Sequence, residues 1–171
     1  MKTLKTSLKS IFVAASLILL ASCNKDDDAP TNYNPITPTS SYVRGTVAGA
    51  AFSSLVASCS VAGSGSDRVI TILGGAGFGD SLTVILYGIN APGTYAVNNS
   101  TNSLLNYSPA SGDVAYSTGE CAAASGTITV TVMDATHVEG TFSFTGKDSD
   151  NCDTGATKTV TNGTFKGVFP S

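Results

Sequence analysis

The chain has 171 residues, a formal net charge of −3, four cysteines, one histidine and no tryptophan. From Tyr42 onward its bases are Arg44, Arg68, Lys147, Lys158 and Lys166 against nine Asp and Glu residues, and no Lys or Arg lies between Arg68 and Lys147. Nucleic acid is held by clustered basic side chains that displace counterions from phosphate, so this composition excludes a nucleic-acid partner. The length allows one domain with a hydrophobic core that does not depend on disulfides.

Lys2, Lys5 and Lys9 precede an apolar run from Ile11 to Leu20. A helix needs about 20 apolar residues to cross a bilayer core, and this run is roughly half that. A basic start, a short apolar stretch and a small-residue exit read as a signal peptide over residues 1–22. Leu20-Ala21-Ser22-Cys23 resembles the lipobox of bacterial lipoproteins, whose cysteine sulfur takes a diacylglyceryl group and becomes the new N-terminus. The resemblance implies an acylated Cys23, each buried methylene contributing about 0.8 kcal/mol, and hence a chain anchored to a membrane without spanning it. Asn24-Lys25-Asp26-Asp27-Asp28 resembles the short acidic tag of surface-exported Bacteroidetes lipoproteins. It implies an outer-membrane protein facing the cell surface, with Lys25, Asp26, Asp27 and Asp28 as the export tag. The alternative is a charged spacer on a periplasm-facing protein.

Residues 23–41 form a tether, with three prolines between Ala29 and Ser41 and little to bury. From 42 to 171 the pattern is strand after strand. YVRGTVA turns at Gly49-Ala50 into AFSSLVASCSV; DRVITILG and SLTVILYG follow, separated by GGAGFGD. INAPGTYAVNNSTN reads as a turn-rich connection around Pro92-Gly93, and SLLNYS and DVAYST as short strands. GTITVTVM, HVEGTFSFTG and TKTVTNGTFKGVF close the chain. Val, Ile, Thr, Tyr and Phe dominate, the β-branched and aromatic bias of strands.

Alternation assigns faces. Ile128, Val130 and Val132 are expected on one face of their strand, with Thr127, Thr129 and Thr131 on the other; Phe142 and Phe144 likewise oppose Thr141, Ser143 and Thr145. Val69 to Leu73 and Leu82 to Leu86 are nearly apolar on both faces, which places them mid-sheet or under a second layer. The expectation is an all-β fold, an antiparallel meander of about nine strands forming a β-sandwich or flattened barrel. The order VAGAAFSS, DSLTVILYG, PGTYAV, SGTITVTVMDATHVEGTFSFTG and TVTNGTFKG resembles a family of uncharacterised Bacteroidetes outer-membrane lipoproteins with GTY and GTFSF motifs. The likeness spans the whole domain and implies fold and location, with no activity to transfer.

The candidate chemical sites are few. Gly74 to Gly79 has phosphate-loop spacing but leads into a strand, so a hairpin loop is favoured. His137 is alone and has no evident nucleophile or second metal-binding histidine, so the protein reads as non-catalytic. The loop from Lys147 to Gly155 carries Asp148, Asp150 and Asp153 but departs from calcium-loop spacing, and no metal or other cofactor is expected. Tyr95, Asn98, Asn99, Asn102, Asn106 and Tyr107 form an amide- and phenol-rich group suited to a glycan, although Asn also serves turns and no Trp platform exists. The functional expectation is a membrane-anchored binding or envelope module with a glycan, small apolar ligand or protein as partner; a hydrolase is the remaining alternative.

With Cys23 taken by lipid, three cysteines remain, and an exported domain sits where disulfides persist. Cys59 shares a face with Leu55, Ala57 and Val61 and reads as a small buried residue. Cys121 precedes the strand from Gly126, and the returning strand ends near Gly146, just before the loop holding Cys152. The topology brings those two ends together and predicts a Cys121–Cys152 disulfide with Cys59 free, stabilising the fold by about 3 kcal/mol.

Overall fold

The computed structural model describes residues 40–171 apart from 78 and 113. The signal peptide, Cys23, the export tag and most of the tether lie outside the described residues. Eleven strands form: β1 (Tyr42–Val47), β2 (Ala50–Ser53), β3 (Val56–Ala62), β4 (Val69–Gly75), β5 (Ser81–Tyr87), β6 (Gly93–Asn98), β7 (Leu104–Ser108), β8 (Tyr116–Ser117), β9 (Ser125–Met133), β10 (His137–Asp148) and β11 (Thr157–Val168). Nine of them follow one path, β2-β1-β11-β10-β8-β7-β5-β4-β3, with β9 pairing β10 and β6. All pairings are antiparallel.

The sheet curls into a half-barrel that stacks β3 and β4 against β1 and β11. The two ends of the path are consecutive in the chain: only Ser54 and Leu55 separate β2 from β3. AFSSLVASCSV was expected as one strand and is broken there. The Ser54 hydroxyl accepts the Val43 N–H at 3.0 Å, and the Ser54 N–H donates to Val43 O at 3.0 Å. Leu55 is thereby turned away from the core and is 77% exposed, so it does not share the Cys59 face as expected.

One contiguous core fills the interior, built from inward residues of nearly every strand, among them Val43, Ile70, Ile72, Leu82, Leu105, Ile128, Phe142, Phe144 and Phe165. Burying each such side chain contributes about 1.5–3 kcal/mol. The aromatic layer is fitted by glycines. Gly140-Thr141-Phe142 on β10 lies antiparallel to Gly163-Thr164-Phe165 on β11, pairing Gly140 with Phe165 and Phe142 with Gly163. Each ring covers the facing glycine: a Cβ at Gly140 would come within 2.8 Å of the Phe165 ring, and one at Gly163 within 2.7 Å of the Phe142 ring. Gly126 pairs with Phe144, where a Cβ would meet the Phe144 Cβ at 2.6 Å.

β4 and β5 are each paired on both sides, as their apolar character suggests, but among the described residues no second layer covers their half-buried outer faces, and Leu73 is 42% exposed. The turn-rich connection INAPGTYAVNNSTN has β6 at its centre, because Thr94, Tyr95 and Val97 supply strand residues that pair along β9. A bulge between Val130 and Val132 shifts the phase of β9. Val132 therefore pairs with Glu139 on the outer face, while Met133 pairs with Val138 and packs on the core.

A hydroxyl-lined groove as candidate functional site

Alternation that sends Ile128, Phe142 and Phe165 inward sends a hydroxyl outward at each intervening position. Across the strands these fall into rows. Thr94, Thr129, Thr141 and Thr164 form one; Ala96, Thr127 and Ser143 the next; Asn98, Ser125, Thr145 and Thr159 a third. A bulge in β11 adds Asn162, held at φ 52, beside Thr161. The result is a groove of about 590 Å³ lined by Thr127, Thr129, Thr141, Ser143, Thr161 and Asn162. It runs on into a neighbouring depression of about 300 Å³ that shares Thr127, Ser143 and Thr161. Neither contains an ionisable side chain. Thr94 and Thr129 hydroxyls lie 3.2 Å apart and Thr145 and Thr159 hydroxyls 3.4 Å apart; those of Thr127, Thr141, Ser143 and Thr161 have no side-chain partner among the described residues. They are free to bond outward.

The amide and phenol group does not converge. Asn98 closes its own turn, accepting the Ser100 N–H at 2.8 Å, and Asn99 and Asn102 are exposed on that turn. Asn106 faces outward and donates to Ser108 Oγ at 3.0 Å. Tyr95 packs inward and donates to Ala91 O at 2.8 Å. Tyr107 is buried at the far end of the half-barrel, stacked on Tyr116 with ring centroids 6.3 Å apart. Burial, and then the nearby Asp80 carboxylate, push its phenol up. Tyr107 lines a pocket of about 280 Å³ with Val47, Phe52, Asp80 and Lys158.

The sequence model of a domain of unknown function (DUF6252) matches residues 39–169. The chain belongs to this family. No curated protein and no solved structure matches it.

In this DUF6252 domain His137 sits between two carboxylates, Nδ1 3.1 Å from Asp134 and Nε2 3.3 Å from Glu139, and Glu139 also meets the buried Lys166 Nζ at 2.7 Å. The Thr136 hydroxyl is 2.9 Å from Nδ1. Asp134 accepts the Thr136 hydroxyl and the N–H groups of Thr136 and His137. Those bonds, the Thr136 hydroxyl foremost, hold its carboxyl down at about 2. Both ring nitrogens are thus engaged in fastening the β9–β10 hairpin. Asp148 accepts the Asp150 N–H, and no group of three metal-ligating side chains occurs among the described residues. Gly74 and Gly75 end β4, and the Gly79 N–H closes a tight turn onto Ala76 O.

The Cys121–Cys152 disulfide is formed, with Cα atoms 5.2 Å apart. It lies where β10 changes partner, leaving β9 after Thr145 to pair Lys147 and Asp148 with β8. Cys59 is free and half-buried, and burial pushes its thiol up to about 11.

Proposed function

We propose that this DUF6252 domain is the non-catalytic binding module of a lipid-anchored outer-membrane protein, exposed at the cell surface, and that its ligand is a neutral glycan chain lying along the hydroxyl groove. The observation that carries the ligand class is a lining rich in hydroxyl groups, with the Asn162 amide and no ionisable side chain. Such a surface exchanges hydrogen bonds with an uncharged polyol and offers a charged polymer no counter-ion. Ring stacking is not required, so the absence of tryptophan is no obstacle.

Affinity electrophoresis through neutral and acidic polysaccharides tests the ligand. Retention is expected on a neutral polymer only. Thr141→Val with Thr161→Val keeps shape and strand propensity while removing two hydroxyls, and should weaken retention about thirtyfold, at about 1 kcal/mol per net hydrogen bond. Full retention by the double variant, or none on any neutral polymer, rejects the groove.

The address rests on Cys23 and the acidic stretch after it. Cys23→Ser should release the protein from membranes or stall its processing. Neutral residues at Lys25 to Asp28 should shield the protein from external protease in intact cells. Unchanged fractionation and processing would refute the anchor; unchanged protease access would make residues 25–28 a spacer.

A further inference from the structure

We infer that the pocket at the far end of the half-barrel binds a free amino acid with an apolar side chain, the ligand's carboxylate pairing with Lys158 and its ammonium with Asp80. The pocket holds about 280 Å³ and draws on four separate parts of the chain: Val47 and Phe52 from the β1–β2 hairpin, Asp80 just ahead of β5, Tyr107 on β7 and Lys158 on β11. The mouth of a β-barrel is a common place for a small-molecule site, and this volume suits one residue-sized ligand better than a polymer. It is also separate from the hydroxyl groove. Thr159 and Thr161 serve the groove on the outer face of β11, whereas Lys158 alternates with them and shares the core side with the fully buried Val160.

A half-buried lysine on the core side of a strand calls for a partner of opposite charge. Among the described residues Lys158 forms no ion pair, and its Nζ stands 5.7 Å from the centre of the Tyr116 ring. Asp80, also half-buried, forms none either; its Oδ1 accepts the Ala110 N–H at 2.6 Å, which leaves the second oxygen for another donor. The Tyr107 phenol lies beside that carboxylate. Two opposite charges thus border one cavity without meeting, above an apolar floor of Val47 and Phe52, which are 8% and 7% exposed. This arrangement selects the ligand class. A carboxylic acid alone would bring a second negative charge beside Asp80, and an amine alone a second positive charge beside Lys158. A neutral molecule would cover both charges and pair neither. A zwitterion answers both, and an apolar side chain between its charges covers Val47 and Phe52. Within a peptide no residue of the chain keeps both termini, so the free amino acid is the form that fits.

Calorimetric titration of the full chain with leucine and phenylalanine tests this, alongside their N-acetyl derivatives, which lack the ammonium, and their amides, which lack the carboxylate. At least one of the two free amino acids is expected to bind, and each of its capped forms to bind about tenfold more weakly, since one charge-assisted hydrogen bond is lost. Lys158→Met keeps the aliphatic stem and should weaken the free amino acid about tenfold while removing its advantage over the amide. Asp80→Asn keeps an acceptor for the Ala110 N–H and should likewise remove the advantage over the N-acetyl form. The capped series on the parent protein needs no variant, so it decides the matter even where a substitution unfolds the domain. No binding of either free amino acid, a capped form bound as tightly as the free one by the parent, or full affinity in folded Lys158→Met or Asp80→Asn would each overturn the proposal.

Discussion

Gly140→Ala is expected to destabilise the domain by about 3 kcal/mol, an overpacking cost, although alanine is the smallest possible change. The added methyl would strike Thr129 O and come within 2.8 Å of the Phe165 ring. A ring can tilt, but the Thr129 oxygen belongs to the neighbouring strand and can move only if the β9–β10 ladder opens. Phe165→Leu in the Gly140→Ala background should therefore recover only part of the loss, and the two changes should be non-additive. Thr141→Ala, one residue away on the outer face, should shift stability by less than about 0.5 kcal/mol. Urea unfolding of the parent, Gly140→Ala, Phe165→Leu, their double variant and Thr141→Ala gives these values; a Gly140→Ala midpoint equal to that of the parent would show that the Gly–Phe exchange does not limit packing.

Breaking the disulfide should cost about 3–4 kcal/mol, for a loop with a sequence separation of 31 on the chain-entropy model. For a domain of this size that corresponds to a fall in Tm of roughly 10 °C. Cys152 lies on the surface and Cys121 is buried, so alanine at both positions removes one buried sulfur atom together with the cross-link. The double variant without reductant and the parent with reductant should melt together. Identical Tm values for oxidised parent and double variant would mean that the β8–β10 junction holds its geometry without the bond.

The strands of strict alternation were legible because one physical rule governed them. Phe142 and Phe144 go inward and Thr141, Ser143 and Thr145 outward because only one face of β10 is dry. The same rule failed at Val132, since a bulge adds a residue without marking the local sequence, and the β11 bulge at Asn162 was equally silent. β6 was obscured by Pro92-Gly93 and the asparagines around it; its identity depends on β9 being available to pair, which is tertiary information. The Cys121–Cys152 pair was legible because hairpin topology alone brings strand ends together. The groove was half legible: each wet threonine could be assigned, but their alignment into rows depends on register across four strands. The asparagine-rich group was misleading for a local reason, because Asn98 spends its side chain on its own turn.

The pairing of the first strand with the last also sets when this domain can form. Tyr42 on β1 is matched with Lys166 on β11, so β1 stays without that neighbour until nearly the whole chain is available. Contacts so distant in sequence demand closure of a long loop before they stabilise anything, which slows folding. β2 inherits the delay, since among the described residues it is held only by β1 and follows it in the chain, whereas β3 has its partner β4 close by. A polypeptide emerging from the ribosome N-terminus first would carry these segments uncommitted until its C-terminus appeared. Such a chain stays threadable for as long as it is incomplete, and it closes in one late event once β11 arrives.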